Sequence, residues 1–528
     1  MITLETMYED AYGGFSPDYP LVEYYVDDEK QLMYARDYRV KTKAVAAFLE
    51  ERLAGVERGR WVGLKYATHP LWMTVFYGLE MIGYKVMLLD EGATPLYVKN
   101  VVELGKLAAI VGVQGEEYPI LNIPFEEATA VQDGEPSSVA WEDTMCLCTS
   151  GTTGSAKAVV FKAGTFTRLQ RTVRSTVFGS PFTTRSAESL SLEQMRVMMT
   201  LPMRHVFGFE VPHIFGGYGC TLVFPKNPGI LEMVRTIREE RIWSTYGVPA
   251  LWKVIFNVYR NQAGEVSKES FREFFGEQFR HGLIGGAKVD EELRAFIASI
   301  DFNMGNAYGS TETGGCITLG FLNDVRSIEG PASYSGQLFN AHRPGVIAED
   351  GSWQPQGIGE LAVTGKNIAD GFVDAGEFVS RQETAGELYH TGDIFQIEGE
   401  DFYYLGRVDN MILTDAGENI YVEELEEDFA ILRDRAEQYC AVGFEGRPAL
   451  VLAGALSEVD ELIEELCAVN GALPHYKRVE AAFVSASPLP LTSKKEVDRK
   501  AVAALLAAAE GADTAFERYG LRKGGARA

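Results

Sequence analysis

Apolar positions along the chain follow two rhythms. Over 38–53 they recur at helical spacing, with Val40, Val45, Ala46, Phe48 and Leu49 grouped mainly on one face. Short continuous apolar runs follow at 61–66, 84–89 and 108–112, and each reads as a strand. The segments between them, 70–82 and 94–107, read as helices. Strand–helix–strand–helix–strand at this spacing predicts a parallel sheet with crossover helices, hence an α/β fold. The same rhythm predicts strands over 196–201, 220–224, 279–283 and 359–365, and helices over 166–178, 210–219 and 289–300. Past residue 407, short strands over 411–414, 440–444 and 449–456 and a helix over 459–469 suggest a smaller α+β region.

One stretch breaks the alternation. Thr149, Ser150, Gly151, Thr152, Thr153, Gly154, Ser155, Ala156 and Lys157 carry no large apolar side chain, yet apolar runs flank them at 144–148 and 158–161. The stretch is therefore expected at the tip of a strand–loop–strand unit. Gly151 and Gly154 let the backbone turn tightly and point N–H groups into a concavity. Five hydroxyls and the Lys157 ammonium add donors suited to phosphate oxygens. This is not a Walker A loop, because two residues separate Gly154 from Lys157 and a β-branched run follows. A plain polar hairpin tip would also use Ser, Thr and Gly, but rarely for so long without an apolar side chain.

With 528 residues, the chain should divide into at least two domains. Its 46% hydrophobic and 23% charged content is that of a globular protein. A formal charge of −26 argues against nucleic acid as a partner. It also leaves any anionic substrate dependent on a few local cations. No apolar run approaches the roughly 20 residues of a membrane helix, and the first 28 residues are acidic and Tyr-rich rather than leader-like. A cytoplasmic location is expected. The six cysteines lack paired metal spacing, and Cys146 and Cys148 should face one side of a strand as small buried residues.

Thr149–Lys157 resembles the phosphate loop of the adenylate-forming superfamily, which includes acyl-CoA synthetases, luciferases and adenylation domains. Other stretches resemble that family in order: Leu201-Pro202 to His205 and Gly208; Gly285-Gly286-Ala287; Tyr308-Gly309-Ser310-Thr311-Glu312; Gly359-Glu360-Leu361; His390-Thr391-Gly392-Asp393; and Gly406-Arg407. The resemblance covers about residues 38–502 and implies a large N-terminal domain of stacked α/β subdomains over 1–408. A small mobile α+β domain over 409–528 would pivot at Asp409. It implies ATP, Mg²⁺ and CoA (or a phosphopantetheine thiol) as cofactors and a small carboxylic acid as substrate. Thr149–Gly154 and Lys157 would hold the β- and γ-phosphates, Thr311 the α-phosphate, and Glu312 the metal. Tyr308, Gly309 and the Gly285–Ala287 segment would meet the base. Asp393 would accept the ribose hydroxyls, with Arg407 beside it. His205 would border an acyl pocket that also takes in Val206, Phe207, Gly286, Tyr308 and Gly314; a lone His is equally a structural residue.

Asp415-Ala416-Gly417-Glu418-Asn419 resembles the segment along which acyl-CoA synthetases admit pantetheine. The acceptor stays open between CoA and an acyl carrier protein or another nucleophile, and oligomeric state is not readable. Near the end, Pro490-Leu491-Thr492-Ser493-Lys494-Lys495-Glu496-Val497-Asp498-Arg499 departs from the family pattern P-x-T-x-x-G-K-x-x-R. Without a gap, Glu496 takes the position of the catalytic lysine. Lys495, or Lys494 in its stead, would have to serve; otherwise the chain is a nucleotide-binding homologue with impaired adenylation, or the run is a solvated charged edge.

Overall fold

The computed structural model describes residues 2–113, 118–150, 156–178, 195–331, 333–340, 342–381, 388–413, 419–454, 459–492, 497–508 and 516–521. The chain separates into two compact units. The first comprises Met1–Pro344, Val363–Tyr389 and Gly399–Phe402; the second comprises Gly345–Ala362, His390–Glu398 and Tyr403–Ala528.

In the first unit, one mixed sheet runs in the order Glu377–Ser380, Gly371–Asp374, Ala156–Lys162, Thr144–Ser150, Lys85–Leu88, Trp61–Leu64, Ala109–Val111, Leu121–Ile123. The members from Thr144–Ser150 to Leu121–Ile123 are parallel, as the alternation predicted. Thr144–Ser150 and Ala156–Lys162 are antiparallel and in register down to Ser150↔Ala156. The intervening residues 151–155, expected as a strand–loop–strand tip, lie outside the described residues, as do the side chains of Ser150 and Ala156.

Side chains alternate across this sheet, and both faces are buried. Met145, Leu147, Val159 and Phe161 join one apolar cluster. Cys146, Cys148, Ala158 and Val160 join another, so the two cysteines do share a face. Helix Ala35–Arg52 packs on the first face through Ala35, Tyr38, Val45, Ala46 and Leu49. Val40, expected on that face, is exposed. At about 100° per residue it lies about 140° around the helix from Val45.

A second sheet runs through Tyr334–Leu338, Gly315–Phe321, Asn303–Ser310, His281–Gly285, Ser244–Gly247, Arg196–Met198, Thr221–Val223, Pro20–Val26 and Glu29–Tyr34. From Asn303–Ser310 to Pro20–Val26 its strands are parallel. A Phe- and Trp-rich cluster, with Trp252, Phe256, Phe271, Phe275, Phe279 and Phe302, fills one face. The hairpin Pro20–Val26/Glu29–Tyr34 was not expected from its polar, Tyr-rich sequence. No residue of its outer strand is buried, which removes the apolar alternation that would have marked it.

The second unit carries an antiparallel–parallel–antiparallel sheet, Gln438–Phe444, Arg447–Ala453, Ala481–Ser485, Phe516–Gly520. Helix Val459–Ala472 covers one face through Leu462 and Leu466, and helix Arg499–Ala508 the other through Val502 and Leu506. Leu521 is buried, and its carbonyl accepts from Asn470 Nδ2 at 2.8 Å. No helix among the described residues is long and apolar enough to cross a membrane.

Candidate functional site

Two parallel strands of the first unit end side by side. His281–Gly285 pairs with Asn303–Ser310 down to Gly285↔Ala307, which sets the Gly285–Ala287 segment beside Tyr308. Beyond Ser310 the chain turns through Thr311–Gly314 and returns as Gly315–Phe321. The return demands glycine. A Cβ on Gly309 would overlap the Gly315 carbonyl, and Gly314 and Gly315 both take positive φ, +69° and +104°.

Thr313, which the sequence reading passed over, holds this turn together. Its buried hydroxyl accepts from Ser310 N at 2.9 Å and lies 3.1 and 3.0 Å from the carbonyls of Ser310 and Gly315. His342 Nε2 reaches the Thr313 carbonyl at 3.1 Å. Capping is thus done by Thr313. The half-buried side chains of Thr311 and Glu312 make no hydrogen bond or ion pair among the described residues. A free carboxylate and a free hydroxyl at the end of a parallel strand suit a hard cation and a phosphate oxygen, so the residues present fit Mg²⁺ with a nucleotide.

The turn is tied to the loop hairpin by a segment with no recognised motif. Ala369 N donates to the Glu312 carbonyl (2.8 Å), and Asp370 N donates to the Val160 carbonyl (2.9 Å). The Asp370 carboxylate then accepts from Lys162 N (2.8 Å) and Thr165 Oγ1 (3.1 Å). Burial raises its pKa, against those two hydrogen bonds. Asn367 links Arg168 (3.2 Å) to Asn340 (2.9 Å). Two motifs about 150 residues apart in sequence are therefore held on one frame. On the hairpin, Lys157 is exposed, with Nζ 5.5 Å from the centre of the Phe372 ring, and the Thr149 carbonyl accepts from Tyr97 OH at 3.4 Å. Gly151, Thr152, Thr153 and Gly154 lie outside the described residues.

His205 is exposed and precedes the helix Val206–Tyr218 as its N-cap. Its Nε2 accepts from Arg204 Nη1 at 2.7 Å, while Arg204 also binds Asp90 and Glu91 at 2.9 and 2.6 Å. Gly208 fits because the helix start presses on the preceding turn, where a Cβ would overlap the Pro202 carbonyl. From this helix Phe207 lies against Gly285, and Glu210 lies against Gly315.

In the second unit, Asp393 and Arg407 meet: Arg407 Nη1 donates to Asp393 Oδ1 at 2.8 Å and to the Thr391 carbonyl at 3.2 Å. Thr391 Oγ1 accepts from Asp393 N (3.1 Å) and donates to the Leu361 carbonyl (2.8 Å). Glu360 binds Gly392 N (3.0 Å) and His390 Nδ1 (2.9 Å), so the Gly-Glu-Leu strand and the His-Thr-Gly-Asp strand form one hydrogen-bonded cluster. Asp409 pairs with Lys500 at 3.1 Å on an exposed surface. Lys494, Lys495, Glu496 and Gly417 lie outside the described residues. The flanks of the lysine segment are fixed by the bridge Leu491↔Val497 and by Asp498 N donating to the Pro490 carbonyl at 2.8 Å. Arg499 Nη2 reaches Glu426 at 2.6 Å, and the other Glu426 oxygen accepts from Ala441 N at 2.8 Å.

The family model for AMP-binding enzymes matches residues 15–373, and the chain belongs to that family. This is the class that the ordered motifs resembled. Among curated relatives, the chain is 24% identical over 430 residues to a 2-succinylbenzoate–CoA ligase of Bacillus pumilus, covering 78% of this chain and 81% of the ligase. It is 28% identical over 449 residues to tyrocidine synthase 3 of Brevibacillus parabrevis, spanning 81% of this chain but 6% of that protein. A carboxylic acid reductase of Mycobacterium marinum matches at 24% over 56% of this chain and 25% of its own length. In structure, it superposes on o-succinylbenzoate CoA synthetase of Bacillus subtilis bound to its acyl-adenylate with a TM-score of 0.75, at 19% identity, over 94% of this chain and 96% of that one. A fatty acyl CoA synthetase of Mycobacterium tuberculosis gives 0.68 at 20% identity, over 96% and 99%. These likenesses establish the shared fold.

Proposed function

We propose that the chain is an AMP-forming acid–thiol ligase: it activates a carboxylic acid with ATP as an acyl-adenylate and passes the acyl group to the thiol of CoA. The observation that carries this reading is the turn after Ser310, where Thr313 supplies the structural hydrogen bonds and the side chains of Thr311 and Glu312 have no hydrogen-bond or ion-pair partner among the described residues. The frame through Ala369 and Asp370 ties that turn to the loop hairpin. The curated ligase relative and a structural neighbour bound to ATP and magnesium ion are consistent with it.

Substrate carboxylate and triphosphate are both anions, so the protein's task is to position them and neutralise charge. Thr149–Gly154 and Lys157 grip the β- and γ-phosphates, and Thr311 contacts the α-phosphate. Glu312 holds Mg²⁺, which supplies charge neutralisation on the phosphates when bound. Tyr308 and the Gly285–Ala287 segment receive the base, and Asp393, held by Arg407, receives the ribose. Lys495 bridges carboxylate and α-phosphate as pyrophosphate leaves. His205 and the helix it caps border the acyl group. We place the domain boundary at 408/409, with rotation about Asp409 bringing in the thiol. Transfer to a carrier protein differs only in what bears the phosphopantetheine.

Glu496 favours one competing reading, a nucleotide-binding homologue with weak adenylation. ATP–pyrophosphate exchange driven by a panel of carboxylates decides. Exchange with at least one acid, lost on Lys495→Ala, is the expected outcome. ATP binding without exchange by any acid would sink the ligase reading, and full exchange by Lys495→Ala would sink the lysine assignment alone.

A further inference from the structure

We infer that Glu210 is a specificity-determining residue that selects acids bearing a hydrogen-bond donor, an amine or a hydroxyl, away from the reacting carboxylate. The inference rests on the ligase reading above and names the substrate class of that same site. Glu210 lies on helix Val206–Tyr218 three residues beyond Phe207, so the two side chains share a face. Phe207 lies against Gly285 at the end of one site strand, and the Glu210 carboxyl against Gly315 at the start of the next. The carboxyl occupies the space into which a side chain on Gly315 would project. Gly315 pairs with Ser310, so the carboxyl borders the turn that carries Thr311 and Glu312.

Glu210 is 4% exposed, and its Oε1 has no hydrogen-bond partner among the described residues. The preceding residue, Phe209, packs on Trp72, Phe76 and Phe166, so this part of the helix is sunk in the apolar core. The Cys316 thiol, itself pushed up mainly by burial, feels its charge, and among the described residues Glu210 pairs with no cation. A buried acceptor without a partner carries a desolvation penalty that a ligand donor would offset. A pocket built to meet a polar substituent rejects the analogue that lacks it far more strongly than an apolar pocket rejects a missing methylene. An amine would pair with the carboxylate, whereas a hydroxyl would also be met by the protonated acid.

The test uses straight-chain and benzoic acids in matched sets carrying amine, hydroxyl or methyl at the distal position. Exchange kinetics are measured alongside direct calorimetric binding on the full chain, Glu210→Gln and Glu210→Met. The wild type should favour a donor-bearing acid over its methyl partner at least tenfold in kcat/KM, chiefly through KM. Glu210→Met should bring that ratio near one, with Glu210→Gln intermediate. Amine-only preference assigns the ion pair, and preference for both assigns the neutral hydrogen bond. Equal binding of donor and methyl acids by the wild type, or a preference that both variants keep, would overturn the assignment. Donor preference in binding without exchange for any acid would instead overturn the adenylation reading while upholding Glu210.

Discussion

Thr311 and Thr313 sit two residues apart on one turn, and the structure gives them opposite jobs. Replacing Thr313 with Val keeps the shape and removes a hydroxyl that accepts from Ser310 N at 2.9 Å and serves the carbonyls of Ser310 and Gly315. Thr313 is fully buried, so water cannot take over that role. Leaving one buried donor and one acceptor without partners costs about 1–3 kcal/mol. The urea midpoint should fall accordingly at unchanged slope. Thr311→Val removes a hydroxyl with no partner among the described residues and should change stability by no more than about 0.5 kcal/mol. Pyrophosphate exchange should nevertheless fall on the order of 10–100-fold, as expected when one donor to a developing charge is lost. Both variants are read by urea titration and by exchange at saturating ATP. A stable Thr313→Val, or a Thr311→Val that unfolds early but exchanges normally, would refute this division of labour.

Other outcomes follow from the same frame. Glu312→Gln should lower exchange by about 10²–10³-fold with an unchanged urea midpoint, because its carboxylate carries no structural contact among the described residues; a shifted midpoint would mark it as structural. Asp370→Ala should cost about 2–4 kcal/mol, since Lys162 N and Thr165 Oγ1 lose a carboxylate acceptor. It should weaken ATP binding without touching the nucleotide, and a variant as stable as wild type would exclude Asp370 as a tie. Burial raises Glu210 to about 8, against about 4.3 in an unfolded chain. Between those values the folded state retains a proton that the unfolded state has released. This contribution is full below about pH 4 and is lost as pH rises towards 8, at about 1.4 kcal/mol per unit. Wild type should therefore lose stability relative to Glu210→Gln from pH 5 to 8, and parallel pH profiles would contradict the burial argument.

The residues of the candidate site could be named in order along the chain because the proposed chemistry needs particular residue types at fixed offsets. Gly309 is demanded by backbone overlap with the Gly315 carbonyl, and Gly314 and Gly315 by their positive φ. Continuous apolar runs marked the parallel strands because both faces of their sheet are buried. The exposed strand Glu29–Tyr34 left no such mark, nor did Phe516–Gly520, whose burial depends on strand Ala481–Ser485 being beside it.

What sequence alone determined, then, were local requirements: the turn glycines, the alternation that fixes strand faces, and the ordered polar motifs of an AMP-binding enzyme. Tertiary structure decided which polar groups were already used. Thr311 and Thr313 look alike in a string of letters, but only folding brings Ser310 N and the Gly315 carbonyl to one of them. Asp370 acquired its role from the strand Ala156–Lys162 lying beside it. Glu210 read as one more acidic residue among 75 Asp and Glu until packing against Gly315 took it out of water and left its Oε1 unmatched among the described residues. Hydrogen-bond satisfaction and desolvation depend on neighbours distant in sequence, so pattern and spacing do not contain them.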